Sequence, residues 1–112
     1  MKMSFIHACR QGDLDTVKQL VENGHNPSED DNEGLLVAIE GCHYDVITYL
    51  ITLESVYEHY TYSDYLLTAN MNDLTVWTIL CDAEIEFESF GLSYFLSEVD
   101  NEEVRRFIRN LQ

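Results

Sequence analysis

Four histidines, three cysteines and 21 carboxylates are the side chains of this 112-residue chain most able to do chemistry, and their spacing decides which chemistry is open to them. His7 and Cys9 form a nucleophile and base pair by type, but two residues apart on a helix they point to different faces. Cys42 and His43 are adjacent, and sequence neighbours on a helix do not face one another, which argues against a shared metal. Cys9, Cys42 and Cys81 are odd in number, far apart and without a C-x-x-C spacing. That pattern argues against a disulfide framework or a structural zinc site, and buried reduced thiols are expected instead. No H-E-x-x-H, G-x-S-x-G or phosphate-binding glycine loop occurs, and Gly12, Gly24, Gly34, Gly41 and Gly91 are read as helix ends or turns. The acidic segment Ser28-Glu29-Asp30-Asp31-Asn32-Glu33 reads as a loop that lacks the D-x-[DN]-x-[DN]-G frame and distal Glu of an EF-hand. No catalytic, cofactor-binding or metal-ligating residue is assigned, and no cofactor is expected.

What remains is the chemistry of binding. The formal net charge is −15, and the six basic residues, Lys2, Arg10, Lys18, Arg105, Arg106 and Arg109, all lie near the two ends of the chain. From residue 19 to residue 104 there are 19 carboxylates and no Lys or Arg. A helix face laced with opposite-sign i, i+4 pairs cannot explain charge of one sign. Self-repulsion at this density opposes a compact state, so either solubility or a binding role offsets the cost. The sharper reading makes Glu29, Asp30, Asp31 and Glu33, with Asp82, Glu84, Glu86 and Glu88, an anionic strip for a basic protein partner. The same sign excludes nucleic acid as a direct ligand, because phosphates are repelled. Tyr57, Tyr60, Tyr62 and Tyr65 cluster in ESVYEHYTYSD, where exposed tyrosines offer contact area at low entropic cost. Tyr57 and Tyr65 fit equally well as covers of the core. Tyr57, Tyr60 and Tyr62 join the acidic residues as candidate partner-binding positions.

These side chains need a scaffold. The length suits one domain, no apolar run is long enough to span a bilayer, and Met1-Lys2-Met3-Ser4 leads into a patterned segment without a signal-peptide block, so a cytoplasmic protein with no membrane partner is expected. The chain repeats: ACRQGDLDTVKQLV from residue 8, AIEGCHYDVITYLI from residue 38 and TANMNDLTVWTILC from residue 68 recur at a spacing of 30 residues. In register stand small residues Ala8, Ala38 and Thr68, then Asp13, His43 and Asp73, then the apolar stripe Val17, Ile47 and Trp77 with Leu20, Leu50 and Leu80. Apolar residues at 14, 17, 20 and 21 share one face of a helix. Gly12, Cys42 and Asn72 fall at a break between two short helices. Cys42 tolerates a left-handed turn poorly, and Gly41 beside it is expected to take the strain. Gly24 and Pro27 stop the second helix of the first unit. Helix hairpins are expected near 4–23, 35–53, 63–82 and 91–111, the last in register at an offset of either 87 or 90 from the first. Arg105, Arg106, Arg109, Asn110 and Gln112 suit the polar outer face that ends a repeat stack.

Residues 5–27, FIHACRQGDLDTVKQLVENGHNP, resemble an ankyrin repeat, whose second half runs A-A-x-x-G-x-x-x-V-V-x-x-L-L-x-x-G-A; Ala8, Gly12, Val17, Leu20, Val21 and Gly24 occupy the matching places. The second unit keeps Ala38, Val46, Ile47, Leu50 and Ile51 but has Cys42 at the turn glycine, and the third is more degenerate. The T-P-L-H tetrapeptide is missing, and the 30-residue spacing is shorter than the common 33, which resembles the abbreviated ankyrin arrays of large DNA viruses. The resemblance implies an all-α, ankyrin-like solenoid of about four helix-turn-helix repeats, with units at about 4–33, 34–62, 63–90 and 91–112. It also implies binding through the connections between units and the concave face beside them. Leu20, Ile47, Leu50, Trp77 and Leu80 are expected in the core, and Ala38 at a close helix contact. The expected function is a non-catalytic protein–protein interaction module, in the host cytoplasm if the chain is viral. The alternatives are a DNA mimic that inhibits a nucleic-acid-binding enzyme, for example a viral anti-defence protein, and an enzyme with carboxylate chemistry. The oligomeric state is left open.

Overall fold

Turns of two or three residues with fixed backbone chemistry set the architecture. The computed structural model describes residues 4–57, 70–83 and 89–111, which hold eight helices and no strand. In chain order these are α1 (Phe5–Gln11), α2 (Leu14–Glu22), α3 (Glu29–Glu40), α4 (Tyr44–Ile51), α5 (Glu54–Tyr57), α6 (Leu74–Asp82), α7 (Ser89–Glu98) and α8 (Glu102–Leu111). Ser4 caps α1 by accepting from the His7 amide at 3.1 Å. The helix then closes in a Schellman turn, with the Asp13 amide on the Ala8 carbonyl and the Gly12 amide on the Cys9 carbonyl, Gly12 being left-handed at φ 71°. Asp13 caps the next helix through the Thr16 amide and hydroxyl.

The same turn recurs one unit later, with the His43 amide on Ala38 and the Cys42 amide on Ile39. Here the structure corrects the expectation. Cys42 itself is left-handed at φ 56° and Gly41 sits at φ −89°, because the carbonyls of Ala38 and Ile39 fix which residue occupies the αL position. Cys42 is also exposed, against the expected burial, whereas Cys9 is buried and Cys81 half-buried; all three are free thiols.

The helix-capping positions Asp13, His43, Asp73 and Asn101 are spaced by 30, 30 and 28 residues. Asn101 earns its place through Oδ1, which accepts from the amides of Glu103 and Val104. The last unit therefore aligns at an offset of 88, between the two expected registers. The first and fourth hairpins lie near their expected limits. The second begins at Glu29 rather than residue 35, so the acidic segment expected as a loop is the opening of α3. The first half of the third hairpin lies outside the described residues.

The helices pack in two rows. α1 lies on α3 in one, and α2 on α4, α4 on α6 and α6 on α8 in the other, giving an elongated body of 44 × 23 × 20 Å. None of the helices among the described residues is long and apolar enough to cross a membrane. Ala8 and Ala38 are fully buried where the first row closes up. Gly34, read from sequence as a helix end or turn, is instead inside α3, where an added Cβ would lie 2.6 Å from the Phe5 ring and 3.1 Å from the Cys9 sulfur. Ile47, Leu50, Trp77 and Leu80 are fully buried as expected. Leu20 is only half-buried, because α2 ends its row and packs against α4 on one side alone. Trp77 locks the third unit to the fourth, with Phe95 edge-on at 5.1 Å, Phe107 at 6.5 Å and its indole N–H donating to the Met71 carbonyl.

Leu50 is fully buried on α4, which packs against α2, α3 and α6, so Leu50→Ala is expected to cost about 2–5 kcal/mol in denaturant unfolding. Ala38→Leu should destabilise by about 1–3 kcal/mol through overpacking. Near-neutral results at both positions would contradict the packing of the two rows.

Candidate functional site

One edge of the stack is formed by the turns, where several polar side chains bond to one another or to backbone across units, beside exposed Glu40, Asp45, Glu98 and Asp100. His43 makes no capping bond; its Nε2 lies 2.8 Å from the Arg10 carbonyl oxygen of the preceding turn. Asn70 donates to the Ile39 carbonyl at 3.2 Å and to the Cys42 sulfur at 2.8 Å. Asn72 Oδ1 accepts from the amides of Asp100 and Asn101, while Asn101 Nδ2 donates back to the Asn72 carbonyl. Each turn is thus tied to the next.

Asp73 is the centre of this chain. Oδ1 accepts from the Thr75 and Val76 amides, which is the cap of α6. Oδ2 accepts from the Tyr44 hydroxyl at 2.6 Å and the Cys42 thiol at 3.3 Å, both from the previous unit. Burial pushes the Asp73 carboxyl up, but the hydrogen bonds from Tyr44, Cys42, Val76 and Thr75 outweigh it and hold the group below its ordinary 3.8. Tyr44 is pushed up to about 12, first because its hydroxyl donates to Asp73, then through burial and the Asp73 charge. Cys9 rises to about 12 chiefly through burial, and burial also raises Cys81, so neither thiol is an activated nucleophile. Among the described residues no three His, Cys, Asp or Glu side chains gather as a metal site.

The opposite edge carries the described acidic candidates for partner binding. The starts of α4 and α6 are tied together at the turns and the two helices pack on each other, so their C-terminal ends also lie side by side. That places Asp82, the last residue of α6, on the same edge as the opening of α3 with Glu29, Asp30, Asp31 and Glu33. Asp30 and Asp82 are exposed, and Glu29 and Glu33 half-buried. Glu29 Oε1 lies 3.1 Å from His25 Nε2 without the alignment of a hydrogen bond. The opening of α3 is irregular, with Asp30 at φ 53° and Asn32 at φ 64°, conformations that Asp and Asn tolerate better than most residues. Asn32 is fully buried and donates to the Val56 carbonyl at 3.3 Å, so the acidic opening is pinned to α5. Of Asp31 and Tyr57 only the backbone is described, in α3 and α5; Tyr60, Tyr62, Glu84, Glu86 and Glu88 lie outside the described residues.

At the end of the stack Arg106, Arg109 and Asn110 are exposed as expected, and Gln112 lies outside the described residues. Arg105 departs from the expectation. Its guanidinium folds inward and donates to the carbonyls of Leu96 and Val99, satisfying the end of α7. The turn-edge network went unassigned from sequence, although the alignment of Asp13, His43 and Asp73 was its visible signal. No protein-family model, no curated protein and no solved structure matches this chain.

Replacing Asp73 by Ala removes a helix cap together with its two inter-unit partners and should cost about 2 kcal/mol. Because the folded Asp73 is held below 3.8, its contribution is present above that pH and is lost as pH falls through the folded value. Tyr44 acts oppositely: its contribution is complete below pH 10 and is lost as pH rises toward about 12. Difference titration of tyrosinate absorbance between the native chain and Tyr44→Phe should show one phenol ionising near 12, shifted toward 10 when Asp73 is Asn. An unshifted phenol would disprove the contact.

Proposed function

We propose that this chain is a non-catalytic ankyrin-type interaction module whose acidic surface binds a basic protein surface. The observation that carries the reading is the absence of counter-charge. Among the described residues, carboxylates form ion pairs only at His25–Glu29 and at Glu102 with Arg105 and Arg109. Exposed Glu22, Asp30, Glu40, Asp45, Glu54, Asp82, Glu98, Asp100 and Glu103 have no such partner.

Placement strengthens the point. α2 ends on Glu22, α3 on Glu40, α6 on Asp82 and α7 on Glu98, and none of the four has a basic residue in its last turn. Carboxylates there meet the negative end of the helix dipole and oppose stability by about 0.3–1 kcal/mol each. Solubility alone is served equally well by acids at helix starts, where the dipole favours them. Four acids placed against the local rule, Glu40 and Glu98 at the turn edge and Glu22 and Asp82 at the opposite one, support acidic surface kept for binding.

Two measurements test the reading. Neutralising the four helix ends together, as Glu22→Gln, Glu40→Gln, Asp82→Asn and Glu98→Gln, should raise unfolding stability by about 1–3 kcal/mol at low salt. For binding, the partner is first captured from an extract of the source organism and identified by mass spectrometry. Association should be fast and weaken steeply with ionic strength, and changing Glu29, Asp30, Asp31 and Glu33 together to Lys should slow it. Competition between this chain and duplex DNA for the partner would make it a DNA mimic, whereas binding without competition leaves ordinary recognition of a basic surface. Affinity indifferent to salt and to the acidic changes sinks the charge-based reading.

A further inference from the structure

Between the connection after α2 and the junction of α4 with α5 runs an open groove of about 550 Å³. Half-buried Val21, Pro27 and Leu53 form an apolar patch in a lining that is polar at His25, Ser55 and Glu54, and Glu54 stands exposed on the rim. Gly24 forms part of the wall at φ 98°, and nothing lies within 4 Å of where its Cβ would be, so incoming chain can approach the backbone there. His25 lines the groove beside Gly24, its ring stacked on Phe5 at 4.8 Å and its Nε2 turned to Glu29. Glu22, next to Val21, is exposed. The nearest cation in sequence, Lys18, is one turn back along α2 with its ammonium 5.6 Å from the Tyr49 ring centroid.

From this combination we infer that the groove is where the basic partner inserts an arginine flanked by apolar side chains. The inference rests on the proposed function and adds to it a place and a side-chain chemistry. An apolar patch beside a carboxylate suits an arginine, whose aliphatic stem packs on the patch while the planar guanidinium meets Glu54 in two parallel hydrogen bonds. Lysine offers a point charge with stronger hydration and no such fork. Neighbouring leucine-like side chains fill the remaining volume over Val21, Pro27 and Leu53. The groove belongs to the same edge as the opening of α3, so an arginine seated there brings the rest of a basic surface against Glu29 and Asp30.

The test uses the full chain, isotopically labelled, titrated with a blocked hexapeptide of alternating leucine and arginine, and with the serine–arginine hexapeptide of equal charge. Amide shifts should concentrate at Gly24, His25, Glu54 and Ser55, and the leucine peptide should bind more tightly than the serine one. Glu54→Lys should weaken binding by about tenfold or more, while Asp15→Lys, the same charge change at the other end of α2, should alter it by less than about twofold. Melting curves check that both variants stay folded. Equal weakening by the two variants, equal affinity of the two peptides, or shifts spread over distant acids with the groove amides unmoved overturns the groove. If the groove fails while the captured partner still binds in a salt-sensitive way, the proposed function stands. If the chain binds neither the hexapeptides nor any salt-sensitive partner, both fall together.

Discussion

The alignment of the turns is the constraint on which the rest of the structure depends. At the first two turns a Schellman closure sets a left-handed residue directly before the capping residue of the next helix, so the carbonyls that receive the closing amides dictate where that helix begins. Asp73 then joins two roles in one carboxylate, capping α6 with one oxygen and holding Tyr44 and Cys42 of the previous unit with the other. Because neighbouring turns are bonded together, the helices that leave them run alongside one another, and Val17, Ile47 and Trp77 bury at the same relative place in successive units. A slip of one residue at any turn would break both the closure and the packing, which is why Cys42 is held left-handed despite its side chain.

The two edges differ in polar chemistry, although the turn edge too exposes unpaired acids at Glu40, Asp45, Glu98 and Asp100. At the turns, His43, Asn70, Asn72, Asp73 and Asn101 satisfy one another or the backbone. At the other edge Glu22, Asp30, Glu54 and Asp82 face solvent without a cation. The bonded turn groups stabilise the stack; the unpaired acids of both edges oppose it through repulsion, and those at helix ends through the helix dipoles. A short stack tolerates that opposition because its core is continuous from Phe5 to Ile108 and its last helix is fastened by Arg105 to the end of α7.

Periodicity made much of this fold legible in the sequence. The spacing of 30 residues placed the first turns, the buried alanines, and Ile47, Leu50, Trp77 and Leu80 in the core, because those features repeat with the backbone geometry. What was illegible depends on contacts made by one unit only. Gly34 reads like a turn until Phe5 is seen against its α-carbon. The acidic opening of α3 reads like a loop because its helical start depends on buried Asn32 reaching Val56 in another element. Leu20 matches Leu50 by position but lacks a neighbour on one side. The register of α8 could not be read from apolar spacing, since Val104 and Ile108 fill the core while the position matching Val17 belongs to Arg105. At the candidate binding surface the acids were legible as types, whereas the groove beside them required the fold to bring Val21 and Pro27 to Leu53.

The turn network also bears on how such a surface would work. Electrostatic attraction acts over about a Debye length, so it can steer an incoming basic surface from roughly 8–10 Å at ordinary salt, but it does little to fix a pose. A pose requires walls that do not yield. Here the walls of the groove come from two connections whose helices, α2 and α4, pack directly on each other, and α4 is tied at its start to Arg10 on one side and to Asp73 on the other. Rigidity generated at one edge therefore reaches the opposite edge through the length of the paired helices. On the proposed reading the carboxylates would set the sign of the partner, and the groove held by that scaffold would select which part of the partner comes to rest.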